Sequence, residues 1–303
     1  MNSTPLVSFC LFTYNQERFI LDALQGAFSQ TYSNLEIIIS DDCSKDKTYE
    51  LIKETVAKYN GSHKIIINRN SHNLGIAAHV NKVLYEIAKG EIIMLAAGDD
   101  VSMPTRTQVC VDFLLNHPEV SSVSLSSEEC DENLKPKHNT FRKLMTPGKD
   151  SIVTLEDYVY FSDFIIFPGD SRVLRREVIS TFPPLKYVSA EDIYLFFRSL
   201  LIGSVGYIRQ PLVKYRIYGG NVTCQKQNNQ DVLKQKREGA KLQMEEDIKV
   251  ALRNHYIEAD DVPLIKKKVA YLLDHLYPLP VVRKRHSLIY RILRKCAKIL
   301  LRE

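Results

Sequence analysis

A chain of 303 residues, 45% hydrophobic and 25% charged, is long enough to bury a substantial core, as one large domain with a tail or as two modest domains. Its formal charge of +5 is unevenly placed, since Arg283–Glu303 holds eight Lys or Arg against one Glu and the rest of the chain sums to −2. No apolar run reaches the roughly 18 residues of a membrane span, and the opening residues lack the positive region of a secretory signal.

In chain order, Leu6–Phe12 is an apolar run that reads as a buried strand, and Glu17–Phe28 sets Phe19, Ile20, Ala23, Leu24 and Ala27 at helical spacing. Leu35–Ser40 predicts a second strand and Thr48–Tyr59 a second amphipathic helix. Lys64–Ile67, Ala77–Ala88 and Glu91–Ala96 continue as strand, helix and strand. Pro104 stands where a first helical turn favours proline, and His117-Pro118 stops that helix after Asn116. Val120–Leu125 is the next strand. This alternation predicts an α/β fold, a mostly parallel sheet with helices on both faces. Ser127–Ser151 turns polar and is expected to be a loop. Beyond it, Leu155–Phe161 reads as helix, Phe164–Phe167 as strand, Ser189–Leu201 as helix and Leu212–Ile217 as strand. From about Gln230 the pattern is helical to the end, broken by Pro263, Pro278 and Pro280.

Ligands of open α/β sheets bind at the carboxyl ends of the strands. Three such ends carry polar groups: Thr13-Tyr14-Asn15-Gln16-Glu17, Asp41-Asp42-Cys43-Ser44-Lys45-Asp46 and Gly98-Asp99-Asp100. Helix capping explains Asp46 as well as any ligand does. Adjacent carboxylates repel unless a cation or hydrogen-bond donors compensate, so Asp99-Asp100 suits Mg²⁺ or Mn²⁺ completed by substrate phosphates. No glycine-rich phosphate loop of the dinucleotide or P-loop kind occurs. The six cysteines, Cys10, Cys43, Cys110, Cys130, Cys224 and Cys296, form no Cys-x-x-Cys pair, which speaks against zinc or a disulfide framework and for a reducing, cytoplasmic setting. Cys43 reads as a packed small residue. His63, His72, His79, His117 and His138 show no metal spacing and read as surface or loop residues.

Val7–Asn15, Ser29-Gln30-Thr31-Tyr32, Leu35–Asp46, Asn73-Leu74-Gly75, Lys89-Gly90-Glu91 and Asp99-Asp100, in this order, resemble family 2 glycosyltransferases of the GT-A fold. Glu191-Asp192 and Tyr215-Arg216 are similar to that family's later landmarks, so the resemblance covers roughly residues 5–222. It implies a GT-A-like, Rossmann-related sheet, a nucleotide-sugar donor (usually a UDP-sugar) and inversion at the anomeric carbon. It also implies roles. Thr13, Tyr14, Asn15, Glu17 and Asp41 would line the donor pocket, with Asp42 accepting from the base and Asn73 and Gly75 closing over the nucleotide. Asp99 would hold the metal with help from Asp100. Asp192 would be the general base, with Glu191 beside it. Two departures stand out: Ala97 replaces the first acid of the metal motif, and Tyr218 stands where many relatives have His. Read from the residues alone, Ser189-Ala190-Glu191-Asp192 is first a capped helix start, and only the resemblance makes Asp192 a base. Tyr187, Phe196 and Phe197 suit either an acceptor site or the core.

The expected organisation is a transferase unit over 1–222, with a donor half of about 1–126 and an acceptor half of about 151–222, then a helical extension over 223–280. A basic amphipathic helix over 281–303 would follow, with Leu288, Ile289, Ile292, Leu293, Cys296, Ile299 and Leu300 on one side. Such a helix suits an anionic membrane surface, where a lipid-linked or glycan acceptor would be met, or a docking site on the body or a partner. Nucleic acid is not expected, because no aromatic-interleaved basic face occurs. A non-catalytic scaffold subunit of the same fold is the alternative, favoured by Ala97 and Tyr218. A nucleotidyltransferase would need a glycine-rich, basic first loop, which Thr13–Glu17 is not.

Overall fold

The computed structural model describes residues 4–137, 149–160, 172–188, 191–219 and 230–277. The expected strand at Phe164–Phe167, the cap at Ser189, the breaks at Pro278 and Pro280, His138 and the basic helix of 281–303 lie outside these residues.

The first half follows the predicted alternation: β1 (Val7–Thr13), α1 (Ile20–Phe28), β2 (Leu35–Asp41), α2 (Thr48–Ala57), β3 (Lys64–Arg69), α3 (Ile76–Asn81), β4 (Ile92–Ala97), β5 (Val101–Ser102), α4 (Arg106–Asn116) and β6 (Val120–Cys130). α3 continues as a π-helical turn over Lys82–Ile87. The second half adds β7 (Ser151–Val153), α5 (Leu155–Tyr160), β8 (Val173–Arg175), α6 (Arg176–Thr181), α7 (Asp192–Ile202), β9 (Ser204–Arg216), α8 (Gln230–Arg253) and α9 (Val262–Leu276).

One sheet runs β3-β2-β1-β4-β8-β6-β9-β5, with β7 on β9. β3, β2, β1 and β4 are mutually parallel, β8 is antiparallel to β4 and β6, and β6 and β9 are parallel. The apolar runs are continuous because both faces of the sheet are covered. Alternate residues Val7, Phe9 and Leu11, with Ile37, Ile39 and Met94, join Ile20, Leu24, Ile52 and Val111 of α1, α2 and α4 in one core. Their neighbours Cys10, Ile38, Ile93 and Leu95 pack with Val80, Val178, Ile179 and Leu195 of α3, α6 and α7 in another. A third core, around Phe197, Met244, Ile248, Ile265 and Leu273, joins α7 to α8 and α9.

Three expectations change. The polar stretch from Ser127 is not loop at its start: β6 runs on to Cys130 because β9 pairs with it through Cys130↔Arg216, and a cross-strand partner overrides the composition. Pro263 does not break a helix but sits in the first turn of α9, where its missing N–H is no loss. Val173–Thr181 holds a strand and a helix that the sequence pattern did not reveal, each too short to show a period.

Candidate active site

The registers Thr13↔Asp41 and Phe12↔Ala97 bring the three polar strand ends side by side. After β1 the chain turns at Asn15, whose φ of 52° lies in the left-handed region. The β1 and β2 ends are laced together. Asn15 N donates to Ser44 Oγ (2.9 Å), Lys45 N to Asn15 Oδ1 (2.9 Å), Gln16 N to Thr48 Oγ1 (2.8 Å) and Lys47 N to Glu17 Oε2 (2.9 Å). Asp46 serves both ends, accepting from Thr48 N at 3.0 Å and Glu17 N at 3.1 Å. Tyr14 is left exposed. At the β4 end, Gly98 N donates to Phe12 O (2.8 Å), and a Cβ on Gly98 would stand 2.3 Å from Gln16 Oε1 and 2.9 Å from Thr13 Cβ. Thr13 Oγ1 and Gln16 Oε1 are buried without a hydrogen-bond partner among the described residues. Buried polar atoms of this kind call for an explanation such as a ligand. The sequence motif pointed to Thr13 but passed over Gln16.

Asp41 is fully buried and turned inward: Ser44 N and Ser44 Oγ donate to it, and Arg69 Nε lies 3.5 Å away. Asp42 ties the β3–α3 loop to the β2 end, accepting from Asn70 Nδ2 (2.8 Å), Leu74 N (2.9 Å) and Gly75 N (3.0 Å). Asn73 Oδ1 shares the Gly75 N–H at 3.1 Å, and Gly75 has a φ of 78°, which a β-carbon would disfavour. Cys43, with a φ of 62°, is half-buried beside Ser71 O. Behind Asp42 runs a chain of polar contacts. Lys82 Nζ donates to Asn70 Oδ1 (2.9 Å), Asn68 Nδ2 to both Asn70 Oδ1 and Ser40 Oγ, and Ser40 Oγ lies 2.6 Å from His79 Nε2. His79 is therefore not the surface residue its spacing suggested. It is buried against Phe12, and burial lowers its pKa while Asp42 and Asp41 oppose that shift.

After β4, Asp99 is half-buried and accepts from Tyr218 Oη at 3.0 Å. Burial first, then the charges of Asp99 and Asp100, push the Tyr218 phenol upward, so it remains a donor at physiological pH. Asp100 is buried and its Oδ1 accepts the backbone N–H of Arg216 at 2.9 Å. Arg216 lies over Phe19 and donates to Asp99 O (2.8 Å), Asp22 Oδ2 (2.8 Å) and Glu132 O, binding β9 to α1 and the β4 end. Tyr218 packs on the same Phe19, the ring centres 4.6 Å apart and the planes tilted by 58°.

Glu191 and Asp192 open α7, and Asp192 Oδ1 accepts from Ile193 N at 2.8 Å. Burial and the neighbouring Asp192 carboxylate push Glu191 up to about 7, against the pull of Arg172. Phe196 and Phe197, deeper in α7, are core, whereas Tyr187 is exposed four residues before Glu191.

Among the described residues, no three His, Cys, Asp or Glu side chains gather as a ready-made metal site. Asp99 still fits a cation that takes one protein carboxylate and fills its shell with substrate phosphates and water. Asp100 fits less well, because one of its oxygens is held by the β9 backbone. Other parts of the resemblance are structural. Gln30 is buried, donating to Gly26 O and Met103 O and accepting from Thr107. Gly90 lies at the opposite sheet edge, where its N–H donates to Ser8 Oγ and a Cβ would come within 2.4 Å of Ser8 N.

Polar groups converge on adjacent parallel strand ends, with acids at the second and fourth strands, at the edge where open α/β sheets bind their ligands. The sequence profile described as glycosyl transferase family 2 matches residues 8–182, more than half of the chain. The chain belongs to glycosyl transferase family 2 and is a glycosyltransferase of the GT-A fold.

Among similar proteins, EpsE of Bacillus subtilis, a glycosyltransferase by name, is 38% identical over 117 residues, 39% of this chain and 41% of that protein. The chain thus matches less than half the length of that relative. An uncharacterized glycosyltransferase of Haemophilus influenzae is 25% identical over 301 residues, 91% of this chain and 87% of its own. In fold, the chain is similar to Staphylococcus aureus TarS residues 1–349, solved with UDP-GlcNAc (TM-score 0.60, 16% identity, 90% of this chain and 82% of that one). It is also similar to the Pyrobaculum calidifontis mannosyltransferase PcManGT, solved with GDP-Man and Mn²⁺ (TM-score 0.55, 17% identity, 96% and 81%).

Proposed function

We propose that the protein moves a sugar, hexosyl or N-acetylhexosaminyl, from a nucleoside-diphosphate donor to a hydroxyl of a glycan or lipid-linked acceptor, in surface polysaccharide or glycolipid synthesis. A UDP-sugar is the first donor to test. The observation that carries this reading is the buried pair Thr13 Oγ1 and Gln16 Oε1 around Gly98, without partners among the described residues and between Asp42 and Asp99 on neighbouring strand ends. In this reading Thr13, Tyr14, Asn15 and Glu17 border the nucleotide, and Asp41 keeps the β2 end in shape. A carboxylate offers about four acceptor positions. Three protein donors on Asp42 leave room for an N–H of the base, while Asn73 and Gly75 close the pocket.

Asp99, supported by Asp100, would hold a Mg²⁺ or Mn²⁺ together with the donor phosphates. When bound, such a cation supplies Lewis-acid stabilisation of the departing diphosphate. The acceptor oxygen attacks the anomeric carbon as the bond to the diphosphate breaks, and the acceptor proton passes to Asp192. Glu191, held near 7, is partly neutral at physiological pH and so limits repulsion between the adjacent acids. One displacement with one base inverts the anomeric centre.

A thermal-shift screen of nucleotide sugars with and without Mn²⁺ tests the proposal, because a ligand of the folded state raises its stability. A rise with at least one nucleotide sugar is expected, and no response to any would overturn the donor assignment. A second reading, a scaffold that binds donor without turnover, is favoured by Ala97 and by the Tyr218 hydrogen bond to Asp99. Donor binding without transfer to any glycan or lipid-linked acceptor, or to water, would favour it.

The division into a transferase unit of 1–222, an extension of 223–280 and a basic helix of 281–303 belongs to the same reading. None of the described helices is long and apolar enough to cross a membrane. The basic segment would instead hold the protein on the cytoplasmic face of an anionic membrane.

A further inference from the structure

We propose that α8 is a positioning element of the transfer site: Gly239, Gln243 and Asp247, one stripe of that helix, hold residues 182–188 and α7 and so set where Glu191 and Asp192 stand. This rests on the catalytic reading of Glu191-Asp192 above.

Residues 182–188 have no regular secondary structure, so their backbone groups need partners from elsewhere. Two helices supply them. On one side, Asn81 of α3 makes a two-way bond with Leu185 (Nδ2 to O, 2.7 Å; N to Oδ1, 3.0 Å), and Tyr85 Oη donates to Phe182 O and Pro183 O. On the other side, Gln243 Oε1 accepts from Lys186 N at 2.9 Å, and Lys186 Nζ lies 3.5 Å from Glu246. One turn earlier, Gly239 meets the chain so closely that a Cβ there would stand 2.1 Å from Tyr187 O. One turn later, Asp247 takes both Nε and Nη2 of Arg198 in α7, at 3.0 and 2.9 Å, with both side chains fully buried. Gln243 Nε2 also donates to Asp247 Oδ1, closing the stripe. Spacing of four residues puts all three on one face of α8.

Position matters because the acids follow directly: Glu191 lies three residues beyond this segment and seven before Arg198. A displacement of about 1 Å at a reacting group can cost on the order of 100-fold in rate. α8 also lies beyond residue 182, where the family profile ends. It therefore supplies a support that the profile does not describe.

Two variants test this. Gln243→Met keeps the volume and removes both hydrogen bonds, and Gly239→Ala forces the Tyr187 carbonyl to move. Affinity for UDP with Mn²⁺ is expected to stay within about twofold, while kcat, for transfer or for donor hydrolysis by water, falls about tenfold or more. If Gly239→Ala does not fold, Gln243→Met carries the test. Amide exchange gives a readout independent of turnover: residues 182–193 should exchange faster in Gln243→Met while the β1–β4 amides do not change. Wild-type kcat in the variants, an equal loss of donor affinity and kcat, or unchanged exchange would overturn the proposal. A wild-type protein that binds no nucleotide would sink the functional reading instead, and exchange would still decide what α8 holds.

Discussion

Asp42 and Asp99 sit on strand ends separated only by β1, yet their surroundings differ. Asp42 is wrapped by N–H donors of the β3–α3 loop, and Asp99 receives a phenol that stays protonated. Asp42→Ala is expected to weaken nucleoside and nucleotide-sugar binding alike, whereas Asp99→Ala should remove the Mn²⁺-dependent part of binding alone. Calorimetry with and without Mn²⁺ separates the two, and equal loss of metal dependence in both would count against these roles. Asp192→Asn should lower kcat by about 10²–10⁴-fold and leave donor affinity nearly unchanged, as loss of a general base does. Near-normal turnover in that variant would move the base to Glu191. Glu191 adds a pH dependence. Its folded pKa of about 7 lies above its ordinary value of 4.5, so folding favours its neutral form. Stability is therefore greatest below the ordinary value and declines as pH rises from there through about 7. Glu191→Gln should raise the melting temperature at pH 8, by the equivalent of about 1–3 kcal/mol, and change little near pH 4.5. A variant less stable than wild type at pH 8 would contradict this.

At the scale of elements, several residues that looked like site motifs turn out to join elements. Gln30 binds the end of α1 to the β5–α4 connection, and Arg216 binds β9 to α1. Gly90 lets the chain enter β4 beside β1, where a Cβ would meet Ser8 N, Ile92 O and Leu6 O within 2.4–2.8 Å. These are backbone atoms held by the sheet and cannot swing aside. Gly90→Ala should therefore cost roughly 2–4 kcal/mol, as other enforced core overlaps do. Gly219→Ala, with nothing among the described residues within 4 Å, should stay within about 0.5 kcal/mol. Denaturant melts of the two variants test the contrast, and similar midpoints would refute it.

For the whole molecule, the distribution of charge invites a separate test. The segment 281–303 carries +7 against −2 for the rest. Basic residues near an anionic surface contribute about 1 kcal/mol each, within a Debye length. Deleting 281–303 should release the protein from anionic vesicles and leave nucleotide binding unchanged, and binding of the full chain should fall as salt rises. A truncated protein that still sediments with vesicles, or one that unfolds, would make this segment core and not anchor.

The sequence by itself determined the parts that repeat or alternate. Runs such as Val7–Thr13, buried but for a half-buried Phe12, and Leu35–Asp41, buried throughout, announce strands covered on both faces, and a strand's direction exposes its carboxyl end. That made legible which strand ends would lie side by side, with Asp42 and Asp99 following two of them. Tertiary structure alone decided what depends on partners distant in the chain. His79 is buried because Ser40 and Phe12 come from two strands 39 and 67 residues earlier. Asp100 supports β9 because Arg216 returns to it across 116 residues. The place of α8 beside residues 182–188 rests on Gly239 and Gln243, whose local pattern is that of any helix. Period and composition report which face of an element is covered, but the identity of what covers it enters with folding, when loop closure brings remote side chains within bonding distance.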